Sequence, residues 1–231
     1  MKRITLFACH YVSGKTNLAV NYALALRREG LAVSIADLDI VNPYFRTKDS
    51  AAELEAAGID LISPAYANSN VDLPALPPQI YRLVERRERY AVMDIGGDDR
   101  GAYALGRYAP YILEENNYEM LFVANFYRPL TPDAPNALEV LREIEGAGGI
   151  PFTAIVNNSN LGWDTTPDDL RRSMAEAERL SVLSGLPVRF TSAEERVAHA
   201  MPGEDIFPMR LQKKYFDIET DRREYHAEGK L

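Results

Sequence analysis

The chain has 231 residues, 46% of them hydrophobic, and a formal net charge of −8, which is material for one substantial core and a common size for a single α/β domain. Its acidity, with no cluster of lysine and arginine long enough to track a phosphate backbone, argues against non-specific nucleic-acid binding and favours small-molecule or protein partners. No apolar run is long enough to span a bilayer and Met1-Lys2-Arg3 opens no signal-peptide pattern, so a cytoplasmic protein without membrane attachment is expected. The single cysteine excludes an intrachain disulfide, and His10, His199 and His226 are too scattered for a zinc site.

In chain order, the run Ile4-Thr5-Leu6-Phe7-Ala8 predicts a strand, and the Ala/Leu-rich stretch from Asn17 to Leu26, closed by Gly30, predicts a helix. Between them lies Cys9-His10-Tyr11-Val12-Ser13-Gly14-Lys15-Thr16. Residues 32–36 read as a buried strand with Asp37 and Asp39 at its C-terminal edge. Residues 51–57 read as a helix stopping at Gly58, residues 59–62 as a strand, and residues 63–78, rich in Pro, Asn and Ser, as a long loop of the kind that carries function. The stretch 79–89 has amphipathic spacing, with Ile80, Leu83 and Val84 inside and arginines on a solvated face.

Further strands are predicted at 90–93, ending in Asp94-Ile95-Gly96-Gly97-Asp98, at 121–125, at 152–156, ending in Asn157-Asn158, and at 188–190 as the last of the core. Thr131-Pro132-Asp133 supplies a cap and a first-turn proline for one helix, and Thr166-Pro167-Asp168-Asp169 for another running toward Leu183. Tyr103, Tyr108, Tyr111 and Tyr118 read as packing residues, and the tail from Gln212 as a surface or frayed segment. Strands separated by helices predict one α/β domain over 1–231, a mostly parallel sheet with helices on both faces. Ligands in such sheets bind at the carboxyl ends of strands, where Asp37, Asp39, Asp94, Asn157 and the Gly-Lys-Thr loop all fall.

A P-loop curls backbone N–H groups round a β-phosphate at a helix N-terminus, reaches the β/γ-phosphates with a lysine, and sets a hydroxyl on Mg²⁺. Gly14, Lys15 and Thr16 supply the second half of G-x-x-x-x-G-K-[ST], with Cys9 where the first glycine stands. Gly-Lys-Thr alone also reads as a helix start with an exposed lysine. The strand before it and the helix after it favour phosphate.

With Asp37-Leu38-Asp39-Ile40-Val41-Asn42-Pro43-Tyr44-Phe45-Arg46 following at its observed spacing, the chain resembles the MinD/ParA/CobQ-type nucleotide-binding proteins over most of residues 1–200. The resemblance implies the MinD/ParA type of P-loop NTPase fold, ATP and Mg²⁺, and nucleotide-dependent homodimers acting on a protein partner. Nucleotide contacts are implied for His10, Ser13, Gly14, Lys15, Thr16 and Asn17, with Asn157 on the adenine edge. Thr16, Asp37 and Asp94 match the metal-holding positions, and Asp39, which orients the attacking water, would act in catalysis with Lys15. Asn157-Asn158-Ser159-Asn160 replaces the guanine-reading Asn-Lys-x-Asp, which favours ATP over GTP. His10 stands where MinD and ParA carry a second, signature lysine, and Cys9 and Val12 stand at glycine positions.

Cys9 has two readings, a redox-sensitive thiol beside phosphate-binding N–H groups or an inert hydrophobe ending a buried strand. Function has three: an ATPase switch, an ATP-dependent small-molecule enzyme of the CobQ or biotin-precursor-ligase type, and a degenerate adaptor that no longer hydrolyses nucleotide. Fold alone does not choose among them.

Overall fold

A strand with no solvated face must be covered on both sides, and Ile4–Ala8 is buried at every position. The computed structural model describes residues 1–10, 13–38, 47–62, 81–97, 101 and 105–212. Its elements are β1 (Ile4–Ala8), α1 (Lys15–Arg28), β2 (Val33–Leu38), α2 (Ala51–Ala56), β3 (Asp60–Ile62), α3 (Tyr81–Glu85), β4 (Tyr90–Ile95), α4 (Ala109–Glu115), β5 (Tyr118–Ala124), α5 (Ala134–Gly148), β6 (Ala154–Asn157), α6 (Pro167–Ser184), β7 (Val188–Glu194), α7 (Glu195–His199) and β8 (Ile206–Met209). The strands form one 8-stranded sheet in the order β3-β2-β4-β1-β5-β6-β7-β8. Every pairing is parallel.

The strand order turns about β1, which lies between β4 and β5. From β1 the chain winds outward through β2 and β3, then returns to wind the other way from β4 to β8. Right-handed crossovers therefore place the helices of the two windings on opposite faces. The loop after β1 sits at the point where the winding reverses, where open parallel sheets form a crevice. Phe7, Leu6, Ile35, Met93 and Phe122, all fully buried, fill the interior. No described helix is long and apolar enough to cross a membrane.

Local chemistry sets the ends of the helices. Thr166 accepts from the Asp169 N–H while the Asp169 carboxylate accepts from the Thr166 N–H, a reciprocal capping box at the start of α6. α5 is capped by Asp133, whose carboxylate accepts from the Asn136 N–H at 3.0 Å, and its proline is Pro135. The expected cap Thr131 instead donates its hydroxyl to the Asn125 carbonyl at 2.7 Å, closing the loop after β5.

Three further boundaries differ from expectation. β2 runs on through Asp37 and Leu38, so Asp37 is a strand residue in register with Asp94. α3 ends at Glu85, because the buried Arg3 guanidinium gathers the carbonyls of Leu83, Arg86 and Arg89 at 2.8, 3.3 and 3.1 Å, which a continuous helix would direct along its own axis. The last strand is β8 rather than β7; it contains Pro208, which an edge strand tolerates and a central one does not. Tyr108 is buried and packs edge-on to Tyr81 at 5.0 Å, whereas Tyr111 is half exposed. Gln212 is tied into the domain through Asn17 and Ser50. The expected loop at 63–78, Tyr103, and the tail beyond Gln212 lie outside the described residues.

Thr166→Ala, which removes one arm of the capping box, is expected to lower unfolding free energy by about 1 kcal/mol in urea denaturation, with the m-value unchanged.

Candidate functional site

α1 begins without a side-chain cap. Gly14 occupies its N-cap position at φ 83°, a left-handed conformation, so the first N–H groups of the helix face the loop and not a neighbouring side chain. Asn158, just past β6, braces this turn: its Nδ2 donates to the Ser13 carbonyl at 2.8 Å, and its Oδ1 accepts from the Ser192 hydroxyl of β7 at 2.9 Å. A Cβ on Gly14 would lie 2.7 Å from that Nδ2. Tyr11 and Val12 lie outside the described residues.

Behind the loop, polar oxygens converge. The Thr16 hydroxyl donates to Asp94 Oδ2 at 2.6 Å, and the Thr47 hydroxyl approaches the same oxygen at 3.5 Å. Asp37 faces Asp94 across the β2–β4 pairing, and Lys15, Thr16, Thr47, Asp37 and Asp94 are all buried. Two carboxylates in register repel unless a cation or donor lies near them. Among the described residues no three His, Cys, Asp or Glu side chains gather into a metal cage. A Mg²⁺ site needs none, since one or two carboxylates, a hydroxyl and the oxygens of a bound phosphate meet its preference for hard ligands. Asp39 lies outside the described residues.

A cavity of about 240 Å³ opens from Gly14–Asn17 across the carboxyl ends of β5, β6 and β7 to Met209 and Leu211. Its walls are loops held by hydrogen bonds. After β5, the Asn125 carboxamide accepts from the Tyr127 and Asn160 N–H groups at 3.1 and 3.4 Å, and the Ser159 hydroxyl accepts from the Phe126 N–H at 2.9 Å. This loop carries Arg128, which lines both this cavity and a second recess of about 310 Å³ beside Cys9, His10 and Ser13. His10 Nε2 lies 3.7 Å from Glu143 Oε2, a pairing that is ionic when the imidazole is protonated. Asn17 lines the cavity and accepts from the Gln212 N–H at 3.0 Å. One turn along α1, Asn21 exchanges two hydrogen bonds with the backbone of Arg210, both at 2.9 Å, and Gln212 Nε2 donates to Ser50 at 2.6 Å.

Asn157 is not on the cavity wall. It is fully buried, its Nδ2 donating to Ser173 of α6 at 2.9 Å and its Oδ1 accepting from the Ser159 N–H at 3.2 Å. Neighbouring residues along an extended chain point to opposite sides, so Asn158 takes the wall position. Asn158, Thr47, Arg128 and Trp163 all belong to the site and escaped the sequence reading. Only Asn158 and Thr47, each next to or just beyond a motif already singled out, left a signal there.

Cys9 is buried, and loss of solvent pushes its thiol up to about 11, partly countered by the positive charge of Lys15. That is the chemistry of a small hydrophobe rather than of a reactive thiolate.

Gly14→Ala forces a non-glycine residue into left-handed φ and displaces Asn158; a loss of about 1–2 kcal/mol is expected in urea denaturation. Cys9 is expected to resist thiol reagents at pH 8 in the folded protein and to react once it is unfolded in urea. Because the folded pKa lies above the ordinary 9.0, the contribution of Cys9 to stability is intact below pH 9 and is lost as pH rises toward 11. Denaturation curves of Cys9→Ala across that window should lack this part of the slope.

No protein-family model and no curated protein matches the chain. Solved structures do. FtsY of Thermotoga maritima, described as a cell division protein, matches with a TM-score of 0.60 at 17% identity, covering 91% of this chain and 66% of its own. FtsY of Mycoplasma mycoides gives 0.55 at 17% identity, covering 85% and 62%, and chloroplast FtsY of Physcomitrella patens gives 0.53 at 18%, covering 83% and 58%. The chain thus spans less than two thirds of the length of these neighbours. At such identities the likeness is one of fold, and that fold is the α/β P-loop NTPase fold.

Proposed function

We propose that the chain is a Mg²⁺-dependent nucleoside-triphosphate switch, which binds and slowly hydrolyses a purine nucleotide and changes its association with a protein partner or a second copy of itself. The observation that carries this reading is the 2.6 Å bond between Thr16 and Asp94 at the uncapped start of α1. It brings the P-loop hydroxyl and the acidic end of β4 to one point, beside a buried lysine and a helix N-terminus that favours anions.

In this reading Lys15 and the N–H groups of Gly14 to Thr16 offset charge on the β- and γ-phosphates, with Ser13, Asn17 and His10 beside them. Thr16, Asp94 and Asp37 hold Mg²⁺, directly or through water. Bound there, the ion neutralises charge developing on the transferred phosphoryl group. Asp39 orients the attacking water. Arg128, on its braced loop, adds a second cation at the rim of the phosphate site. Since phosphoryl transfer needs little beyond positioning and charge stabilisation, these groups suffice for slow turnover.

The absence of Asn-Lys-x-Asp is the ground for ATP over GTP, and the titration compares the two directly. A small-molecule ligase would need a substrate pocket built from residues 63–78, which lie outside the described residues, and no described feature favours it.

Calorimetric titration with Mg-ATP, Mg-GTP and Mg-ADP tests the proposal, with phosphate release followed in parallel. Wild type is expected to bind a triphosphate, and Lys15→Ala to weaken it about 100-fold, the effect of removing a charged hydrogen-bond donor. Asp94→Asn should abolish the dependence of binding on Mg²⁺, and Asp39→Ala should stop turnover while binding persists. Sedimentation with and without nucleotide reads dimer formation. A folded wild-type protein that binds none of the three nucleotides would overturn the proposal.

A further inference from the structure

We infer that Trp163 is the stacking platform for the nucleotide base, an inference that rests on the nucleotide-binding reading above. Trp163 is the chain's one tryptophan. It lies in a 3₁₀ turn, Gly162–Asp164, between β6 and α6. It lines the cavity that begins at Gly14–Asn17, yet 47% of it remains exposed. Among the described residues no aromatic ring packs on it. A large apolar ring left open to solvent at a cavity is costly to the free protein, and that cost falls when a flat ligand covers it.

The backbone beneath the ring is pinned from several directions. The Thr165 hydroxyl donates to the Gly162 carbonyl at 2.7 Å and accepts from the Leu161 N–H at 2.9 Å. Asn160 Oδ1 accepts from the Gly162 N–H at 3.2 Å. From α7, the Arg196 guanidinium donates to the carbonyls of Trp163 and Thr165 at 3.0 and 3.1 Å. Gly162 takes φ 67°, which lets the chain turn this sharply. The turn is therefore held in place before any ligand arrives, while its side chain is left free to present a face.

The direction of the cavity supplies the rest. Phosphates bound at Gly14–Thr16 leave the remainder of the nucleotide to run over the ends of β6 and β7, where the cavity is lined by Asn160, Trp163, Thr165 and residues 192–194. The larger area of a purine covers more of the indole than a pyrimidine does, and stacking of this kind is tolerant of which purine is bound. Trp163 therefore sets preference for purine over pyrimidine, leaving the choice between adenine and guanine to polar groups on the walls.

Having one tryptophan makes the test direct, because all indole emission reports on this site. Wild-type fluorescence is expected to change on adding Mg-ATP or Mg-GTP and to stay constant with Mg-tripolyphosphate, which fills the phosphate site without a base. In calorimetry, Trp163→Ala should weaken the better-bound purine nucleotide by about 10-fold or more, leave tripolyphosphate affinity unchanged, and narrow the margin over Mg-CTP. Trp163→Phe should recover most of the loss. Nucleotide binding of unaltered affinity in Trp163→Ala, with no change in wild-type emission, would overturn the platform while leaving the phosphate site intact. Failure of nucleotides and tripolyphosphate alike to bind would overturn both.

Discussion

The hydrogen bond from Thr16 to Asp94 ties the first turn of α1 to the end of β4, and the arrangement of the site depends on it. Its two ends come from neighbouring strands of the sheet, one through the loop after β1 and the other from β4 itself. Burial makes the contact consequential: a carboxylate away from water must be met by donors or by a cation, and Thr16 is already committed as one of them. Since β1 is packed between β4 and β5, neither end can move without disturbing the centre of the sheet.

Around that contact carboxamides brace the loops. Asn125 and Asn158 bond to backbone groups of another loop, Asn157 and Asn160 to backbone groups two residues away, and Asn17 and Asn21 tie α1 to the segment after β8. A carboxamide donates and accepts at once without carrying charge, so it can brace a turn beside a phosphate without repelling it or competing with Lys15.

Much of the sheet was legible because its strands are short, nearly continuous apolar runs between turn residues. β1, α1, β4 and α6 fall within two residues of where the pattern puts them, and β5 starts three residues earlier, at Tyr118. The errors came where a distant group decides. Nothing near residue 86 foretells that Arg3 will collect three carbonyls there, and nothing at Thr131 shows that its hydroxyl is needed by Asn125 in place of a helix N–H. β8 was hidden by Pro208, which argues against a strand until the strand is known to lie at the edge. Within the site, Lys15, Thr16 and Asp94 were readable as a motif. Asn157 and Asn158 differ by one position, and in an extended chain one position exchanges a buried face for a cavity wall. Arg128 and Trp163 sit on loops whose course is set by hydrogen bonds rather than by local sequence.

The bonds from Asn17 and Asn21 to the segment after β8 join the helix that starts at the phosphate loop to the outer edge of the sheet. Gln212, in turn, reaches Ser50 at the start of α2. Leu211 and Gln212 form part of the cavity rim and α1 forms part of its floor, so floor and rim behave as one stiff frame. Tilting the helix must carry the rim with it. A ligand therefore meets walls already in place at this end of the cavity, and the entropy of fixing them is spent when the chain folds rather than when the ligand binds.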